Sequence, residues 1–262
     1  MSKLIDKLNQ AAKAVPQPMG FRAAKPALMK PKMLLIASLI QANNVGRLAD
    51  YITGADAVLL PTAKLSPRAT TLQKIAKAVS DIPWGGWLAD TGRREISPMM
   101  ETGCDFVVFP ASTALATPQD DEIGKILQVE ASLGEGLLKA VNELPVDAVL
   151  IADEPEKERS LTWHRLMLFQ RFADLLTKPL LITAPLNVTA NELQVLWKTG
   201  VDGVVVEVGI GEPVGRLEEL RKVIDKLTFP ARTRGKTEAL LPHIGEETGP
   251  VTEAEEEEEE EE

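Results

Sequence analysis

The chain has 262 residues, enough for one large domain and little else. It carries 39 acidic and 29 basic residues, a net charge of −10, but eleven glutamates lie from Glu246 onward with no Lys or Arg among them; without that stretch 28 acidic residues face 29 basic ones. A near-neutral body argues against a nucleic-acid-binding surface, the single Cys104 excludes an intrachain disulfide and an all-cysteine metal cage, and no apolar run is long enough to span a bilayer.

Residues 1–15 read as a short amphipathic helix, because Leu4, Ile5, Leu8, Ala11, Ala12 and Val15 recur at helical spacing. They lack the continuous apolar core of a secretory signal, and with the lone thiol this points to a reducing cytoplasm. Residues 16–32 carry Pro16, Pro18, Pro26 and Pro31 among Arg22, Lys25, Lys30 and Lys32, which makes a basic linker without periodicity.

From Met33 onward, apolar runs alternate with helical patterns. Strands are expected at about 33–38, 57–61, 84–89, 105–110, 126–130, 147–152, 180–184 and 203–208, mostly as continuous apolar runs of the kind buried on both faces. Helices are expected at about 44–53, 67–80, 92–102, 133–143, 161–177, 189–199 and 214–227. Ser160 or Thr162, and Asn187 or Thr189, are the cap candidates for the helices after strands six and seven. The connection from Ala111 to Gly124 has room for only a short helix.

One phrase punctuates this alternation four times: Gly54-Ala55-Asp56-Ala57-Val58, Gly103-Cys104-Asp105-Phe106-Val107, Pro145-Val146-Asp147-Ala148-Val149 and Gly200-Val201-Asp202-Gly203-Val204. Gly or Pro stops a helix, Asp turns the chain, and the β-branched run that follows extends it. Four βαβα units give eight strands, the count of a closed (β/α)8 TIM barrel. The expected organisation is an N-terminal helix and linker (1–32), a barrel (33–228), and a disordered poly-Glu tail (229–262), whose like charges repel and bury no core.

In such a barrel the chemistry sits at the C-terminal ends of the strands. Those ends nominate Ser38, Trp87, Ser112 and Asn187 as substrate contacts. Gly209 and Gly211 could bare backbone N–H groups to a phosphate, Lys64 could meet an anionic substrate, and Asp90 could serve catalysis. Thr183 also falls at a strand end. Carboxylates gather there too, in Glu130, Asp153, Glu154 and Glu207. Converging carboxylates need a cation, and oxygen ligands without His or Cys suit Mg²⁺ or Mn²⁺. His164 and His243 fall away from the strand ends, and Cys104 at the opposite entry of its strand.

The second half resembles a known barrel type. Ile126-Leu127-Gln128-Val129-Glu130 is similar to strand five of the metal-dependent pyruvate (2-keto-3-deoxy acid) aldolases of the phosphoenolpyruvate/pyruvate superfamily. Val146 to Ala152, Lys178 to Ile182, Gly200 to Val206 and Gly103 to Pro110 are similar to its sixth, seventh, eighth and fourth strands. The resemblance implies a metal-ligand role for Glu130, with Asp153 or Glu154 as the second carboxylate. The chain departs from the family where strand six ends in Ala152-Asp153-Glu154-Pro155 instead of Gly-Pro-x-Asp. It also departs where Trp87 stands in place of a carboxylate-binding Arg, and where the family's His base has no counterpart.

The leading expectation is therefore a small-metabolite enzyme, a Mg²⁺- or Mn²⁺-assisted carbon–carbon lyase acting on a keto acid. The alternatives are a metal-free phosphate-ligand barrel (isomerase or synthase) and a non-catalytic barrel acting as a binding or scaffold protein. A small-molecule substrate is expected and neither nucleic acid nor membrane; self-association and a partner for the acidic tail stay open.

Overall fold

The computed structural model describes residues 2–12, 33–39, 48–61, 76–79, 82–88, 99–114, 122–152, 161–209 and 214–227. The 16–32 linker with the last three residues of the expected 1–15 helix, the poly-Glu tail, Lys64, Asp90, Asp153, Glu154 and Gly211 lie outside the described residues. Eight parallel strands pair in sequence order and close into a barrel: β1 (Leu34–Leu39), β2 (Ala57–Pro61), β3 (Trp84–Trp87), β4 (Phe106–Pro110), β5 (Gly124–Val129), β6 (Ala148–Ile151), β7 (Leu180–Ala184) and β8 (Gly203–Val208). Following the register once round the ring returns to β1 eight residues lower, the shear of a (β/α)8 barrel. The helices are α1 (Lys3–Ala12), α2 (Leu48–Ile52), α3 (Glu135–Val141), α4 (Trp163–Leu175), α5 (Ala190–Lys198) and α6 (Arg216–Lys226).

Two apolar cores follow from strand alternation. Leu34, Ile36, Leu59, Phe106, Val108, Ile126, Leu150, Leu181 and Val205 fill the bore, while their neighbours Leu35, Val58, Val107, Leu127, Val149, Ile182 and Val204 pack outward under the helices. Both faces of each strand are thus covered, which is why the strands read as unbroken apolar runs. Thr162 and Thr189 cap α4 and α5, accepting from the backbone N–H of Arg165 and Glu192. Glu192 completes a capping box on Thr189.

The repeated phrase has a mechanical meaning. Asp56 donates its backbone N–H to the Leu35 carbonyl (2.7 Å) and its carboxylate accepts the Leu35 N–H (2.9 Å). Asp147 does the same to Lys125 (2.8 and 2.8 Å), and Asp202 to Leu180 (2.8 and 2.7 Å). Each aspartate at the foot of an even-numbered strand grips the first or second residue of the strand before it, with a charge-assisted bond to a backbone donor. Gly54, Gly103 and Gly200 precede their aspartates at φ of +93°, +84° and +95°, the left-handed turn that ends a helix.

The fourth aspartate is used differently. Asp105 donates its N–H to the Trp84 carbonyl (2.8 Å), but its carboxylate accepts from Ser2 Oγ (2.7 Å) and from the backbone of Lys3 (2.8 Å) and Leu4 (3.0 Å). It binds the N-terminal turn of α1, where orphan N–H groups and the helix dipole favour a carboxylate. Helix α1 thereby plugs the foot of the barrel, with Leu4 and Leu8 fully buried and Ile5 nearly so in the bore core. Gly124 makes room for it: a Cβ there would sit 2.7 Å from Ile5 Cγ1 and 2.7 Å from Ser2 Oγ.

This corrects the expected start of β5. The strand begins at Gly124, not near residue 126, because Gly124 pairs with Phe106 and lies under α1. The amphipathic helix ends at Ala12 within the described residues, and strand three stops at Trp87.

Candidate functional site at the C-terminal mouth

Polarity along the bore is confined to one end. The lower inward positions are Leu34, Ile36, Ala57, Leu59, Gly85, Phe106, Val108, Gly124, Ile126, Ala148, Leu150, Leu181, Gly203 and Val205, all apolar or glycine. The last inward position of β1 is Ser38, of β5 Gln128, of β7 Thr183 and of β8 Glu207, as the alternation with outward Leu39, Val129, Ala184 and Val208 requires. A core gains nothing from polar side chains at one end only; a ligand site does.

Ser38 and Glu207 are direct register partners on β1 and β8. Ser38 is 3% exposed, one of the few buried polar side chains among the described residues. Glu207 is half-buried and has an interaction partner of its own. Across the ring, Trp87 on β3 donates its indole N–H to Gln128 Oε1 on β5 at 2.6 Å, reaching over β4. Trp87 stands above Gly85, whose missing side chain is replaced by Phe106: a Cβ at Gly85 would meet the Phe106 ring at 2.5 Å. The emptied position beneath lets the large indole lie in the bore, where it packs against the core.

The other described nominees sit outside this ring. Ser112 is exposed in the turn after β4, Asn187 is exposed in the loop after β7, and Gly209 is buried directly beyond β8. Glu130 is exposed one residue past β5 and accepts from Ser132 Oγ at 3.1 Å. Among the described residues no group of three His, Cys, Asp or Glu side chains gathers to hold a metal. Of the expected metal ligands Glu130, Asp153 and Glu154, the described residues include Glu130.

Of the perturbed groups, Arg165, lowered by burial, lines a small pocket with Thr183 at the end of β7, while Cys104 and Lys178 lie at the foot of the barrel. Cys104 is at the foot of β4, donates to the Phe106 carbonyl at 3.2 Å, and burial pushes its thiol up to about 12, opposed by hydrogen bonds to the backbone of Phe106 and Gly86. Burial also lowers Lys178, against the pull of Asp147 and Glu143; its Nζ donates to the carbonyls of Leu144 and Val146. A cavity of about 440 Å³ opens at this same foot, between Lys3, Trp84, Met100, Cys104 and Glu122. It lies on the stability face of the fold, far from the strand ends where barrels do chemistry. His164 is exposed on α4, as its position in the sequence suggested.

Sequence reasoning named Ser38, Trp87, Thr183 and Glu207 at strand ends but passed over Gln128 as a site residue. The signal was available: a polar side chain at the last inward position of an otherwise apolar strand.

No family model and no curated protein matches the chain. Solved structures do. A 3-keto-L-gulonate-6-phosphate decarboxylase from Vibrio cholerae superposes with a TM-score of 0.58 at 15% identity, over 75% of this chain and 99% of that one. A variant of the tryptophan synthase alpha-subunit from Pyrococcus furiosus gives 0.57 at 15% identity, over 74% and 97%. Orotidine 5'-phosphate decarboxylase from Pyrococcus horikoshii gives 0.55 at 13% identity, over 74% and 100%. The chain is a (β/α)8 barrel. At these identities the likeness is one of fold. No helix among the described residues is long and apolar enough to cross a membrane.

Proposed function

We propose that the protein is a small-metabolite enzyme whose substrate sits in the C-terminal mouth, on Ser38, Trp87, Gln128, Thr183 and Glu207. The observation that carries this reading is the one-sided polarity of the bore, with the buried polar Ser38 at its upper end. Two of the structural neighbours are decarboxylases of phosphorylated compounds by name, and the third is a synthase subunit. These are small-molecule chemistries. Side chains fill the bore of a (β/α)8 barrel, so a ligand sits above them at the ends of the strands.

In this reading Glu207 is the group that takes or gives a proton, and Ser38 and Gln128 orient the substrate by hydrogen bonds. Carbon–carbon lyase chemistry on a keto acid is the finer assignment, supported by the likeness of Gln128-Val129-Glu130 to the aldolase strand. A divalent metal held by Glu130 with Asp153 or Glu154 would supply Lewis-acid stabilisation of an enolate. Trp87 in place of the family's arginine gives the mouth a neutral donor toward Gln128 where the family has a cation.

The test is a thermal-shift screen of Mg²⁺, Mn²⁺, keto acids and phosphate against the full chain, repeated on Glu207→Gln and Glu130→Ala. Stabilisation by a keto acid that disappears in Glu207→Gln supports the mouth. Stabilisation surviving that change places the ligand elsewhere, and metal stabilisation surviving Glu130→Ala removes Glu130 from the metal set.

A further inference from the structure

We infer that the outer face of α4 docks on the same face of a second copy of this chain, the two helices running antiparallel about a two-fold axis. Among the described residues, the large apolar side chains left exposed are Leu137, Leu144, Trp163, Met167 and Val214, and all but Val214 lie on α3, just past its end, or on α4. Trp163 is 83% exposed and Met167 69%. Aromatic and Met side chains gathered on one surface are the mark of an interaction site. Phe169, Phe172 and Ala173 already bury the inner face of α4, so this surface is not part of the barrel's own packing. Trp163, Met167, Gln170 and Asp174 follow one another at spacings of four, three and four residues, which sets them in a single stripe along the helix.

The stripe carries both halves of a contact. A groove of about 430 Å³ opens on it, lined by Met167, Gln170, Arg171, Asp174 and Leu175, with Glu135 of α3 on the rim. Met167, Gln170, Arg171 and Asp174 stand at i, i+3, i+4 and i+7, the four positions that form a hole for a knob from a facing helix. Trp163, one turn before the hole, is the knob. A knob and a hole on one stripe cannot meet within a chain. They meet across a two-fold, where each copy gives one and receives one. An axis at the level of Leu168 and Phe169 sets Trp163 opposite the partner's Asp174, and Met167 opposite the partner's Gln170. Charge favours the same direction. Helix α4 has no acidic residue in its first turn and no basic residue in its last. Antiparallel pairing brings the partner's Asp174 to that first turn, where the helix dipole favours a carboxylate. Within each copy Gln170 Nε2 donates to Asp174 Oδ1 at 2.8 Å, which leaves Oδ2 to accept from the partner's indole N–H. Arg171, donating to the Leu133 carbonyl, borders the hole with its guanidinium and can stack on the indole face. Two indoles bury about 300–500 Å² of the roughly 1,600 Å² in a standard interface, so the dimer belongs in the micromolar range.

The experiment is sedimentation velocity on the full chain at physiological salt, over a series from micromolar to hundreds of micromolar. The wild type should pass from monomer to dimer within that series. Trp163→Ser removes the knob and Gln170→Arg fills the hole. Both positions are exposed, so both variants should keep the wild-type urea midpoint. Each alone should weaken the dimer by about tenfold or more. Mixed in equal amounts, the two variants should associate more tightly than either does alone, because the open hole of one receives the intact indole of the other. Loss of apolar surface by itself gives no such rescue. A wild type that stays monomeric throughout, a dimer that Trp163→Ser leaves unchanged, or a mixture no more associated than its parts would each overturn the pairing.

Discussion

The carboxylate of Asp105 holds the foot of β4 and the first turn of α1 together, through Ser2 Oγ at 2.7 Å and the backbone N–H groups of Lys3 and Leu4 at 2.8 and 3.0 Å. Its three sequence equivalents, Asp56, Asp147 and Asp202, spend the same carboxylate on the preceding strand. A repeat that builds strands in three places has thus been turned in the fourth to seating a plug.

Two consequences separate these uses. Asp202 is fully buried and its loss strands the Leu180 N–H, so Asp202→Ala should cost about 2–3 kcal/mol in urea unfolding. Asp105→Ala should cost a similar amount in the full chain and far less in a chain lacking residues 1–12. An equal cost in both chains would show that Asp105 serves the strands after all.

The plug also explains a glycine. Gly124→Ala places a methyl 2.7 Å from Ile5 and Ser2, and should destabilise the full chain by about 1–3 kcal/mol. Removing residues 1–12 should abolish that penalty. Leu8→Ala, which empties a fully buried position in the bore, should cost about 2–5 kcal/mol. Both are read from denaturant midpoints, with an unchanged slope confirming that the denatured state is not what moved.

At the other end, the Trp87–Gln128 bond is checked by a double-mutant cycle. Trp87→Phe and Gln128→Leu should each destabilise, and their coupling energy should be about 1 kcal/mol. A coupling near zero would mean that the indole and the amide do not hold each other in solution.

Cys104 gives a pH dependence with a definite sign. Its folded thiol titrates at about 12, above the unfolded value of about 8.5. The stability it contributes is complete below about pH 8.5 and falls as pH rises towards 12, since the unfolded chain then gives up its proton first. Between pH 9 and 10.5 the wild type should lose stability relative to Cys104→Ala by about 1 kcal/mol per pH unit. A thiol still protonated at pH 8 should react more slowly with disulfide reagents in the folded chain than in the unfolded one. Rapid native-state reaction, or parallel pH profiles for the two proteins, would contradict it.

Much of the scaffold could be read from the chain. Continuous apolar runs such as Leu34 to Leu39 and Val204 to Val206 are legible because a strand covered on both faces needs nothing else. The Gly-x-Asp phrase located the even-numbered strands, but the diverging role of Asp105 depends on a helix a hundred residues away and has no local sign. Glycine at position 124 concealed the start of β5, for it reads as a turn residue and is in fact a seat for Ile5. The site was partly legible. Ser38 and Trp87 follow from the rule that chemistry sits at strand ends. Gln128 was overshadowed by its neighbour Glu130 in the Gln-Val-Glu likeness, yet it is Gln128 that faces the bore while Glu130 is exposed beyond the strand.

The central claim is that the polar end of the bore exists to meet a ligand and not to build the barrel. Ser38→Ala tests it most directly, because Ser38 is a buried polar residue, 3% exposed, at the upper end of an otherwise apolar strand face. Measured by urea unfolding without any ligand, the variant should be as stable as the wild type or more stable by up to about 1 kcal/mol. A loss of more than about 1 kcal/mol would show that Ser38 holds the fold together, and would contradict the account.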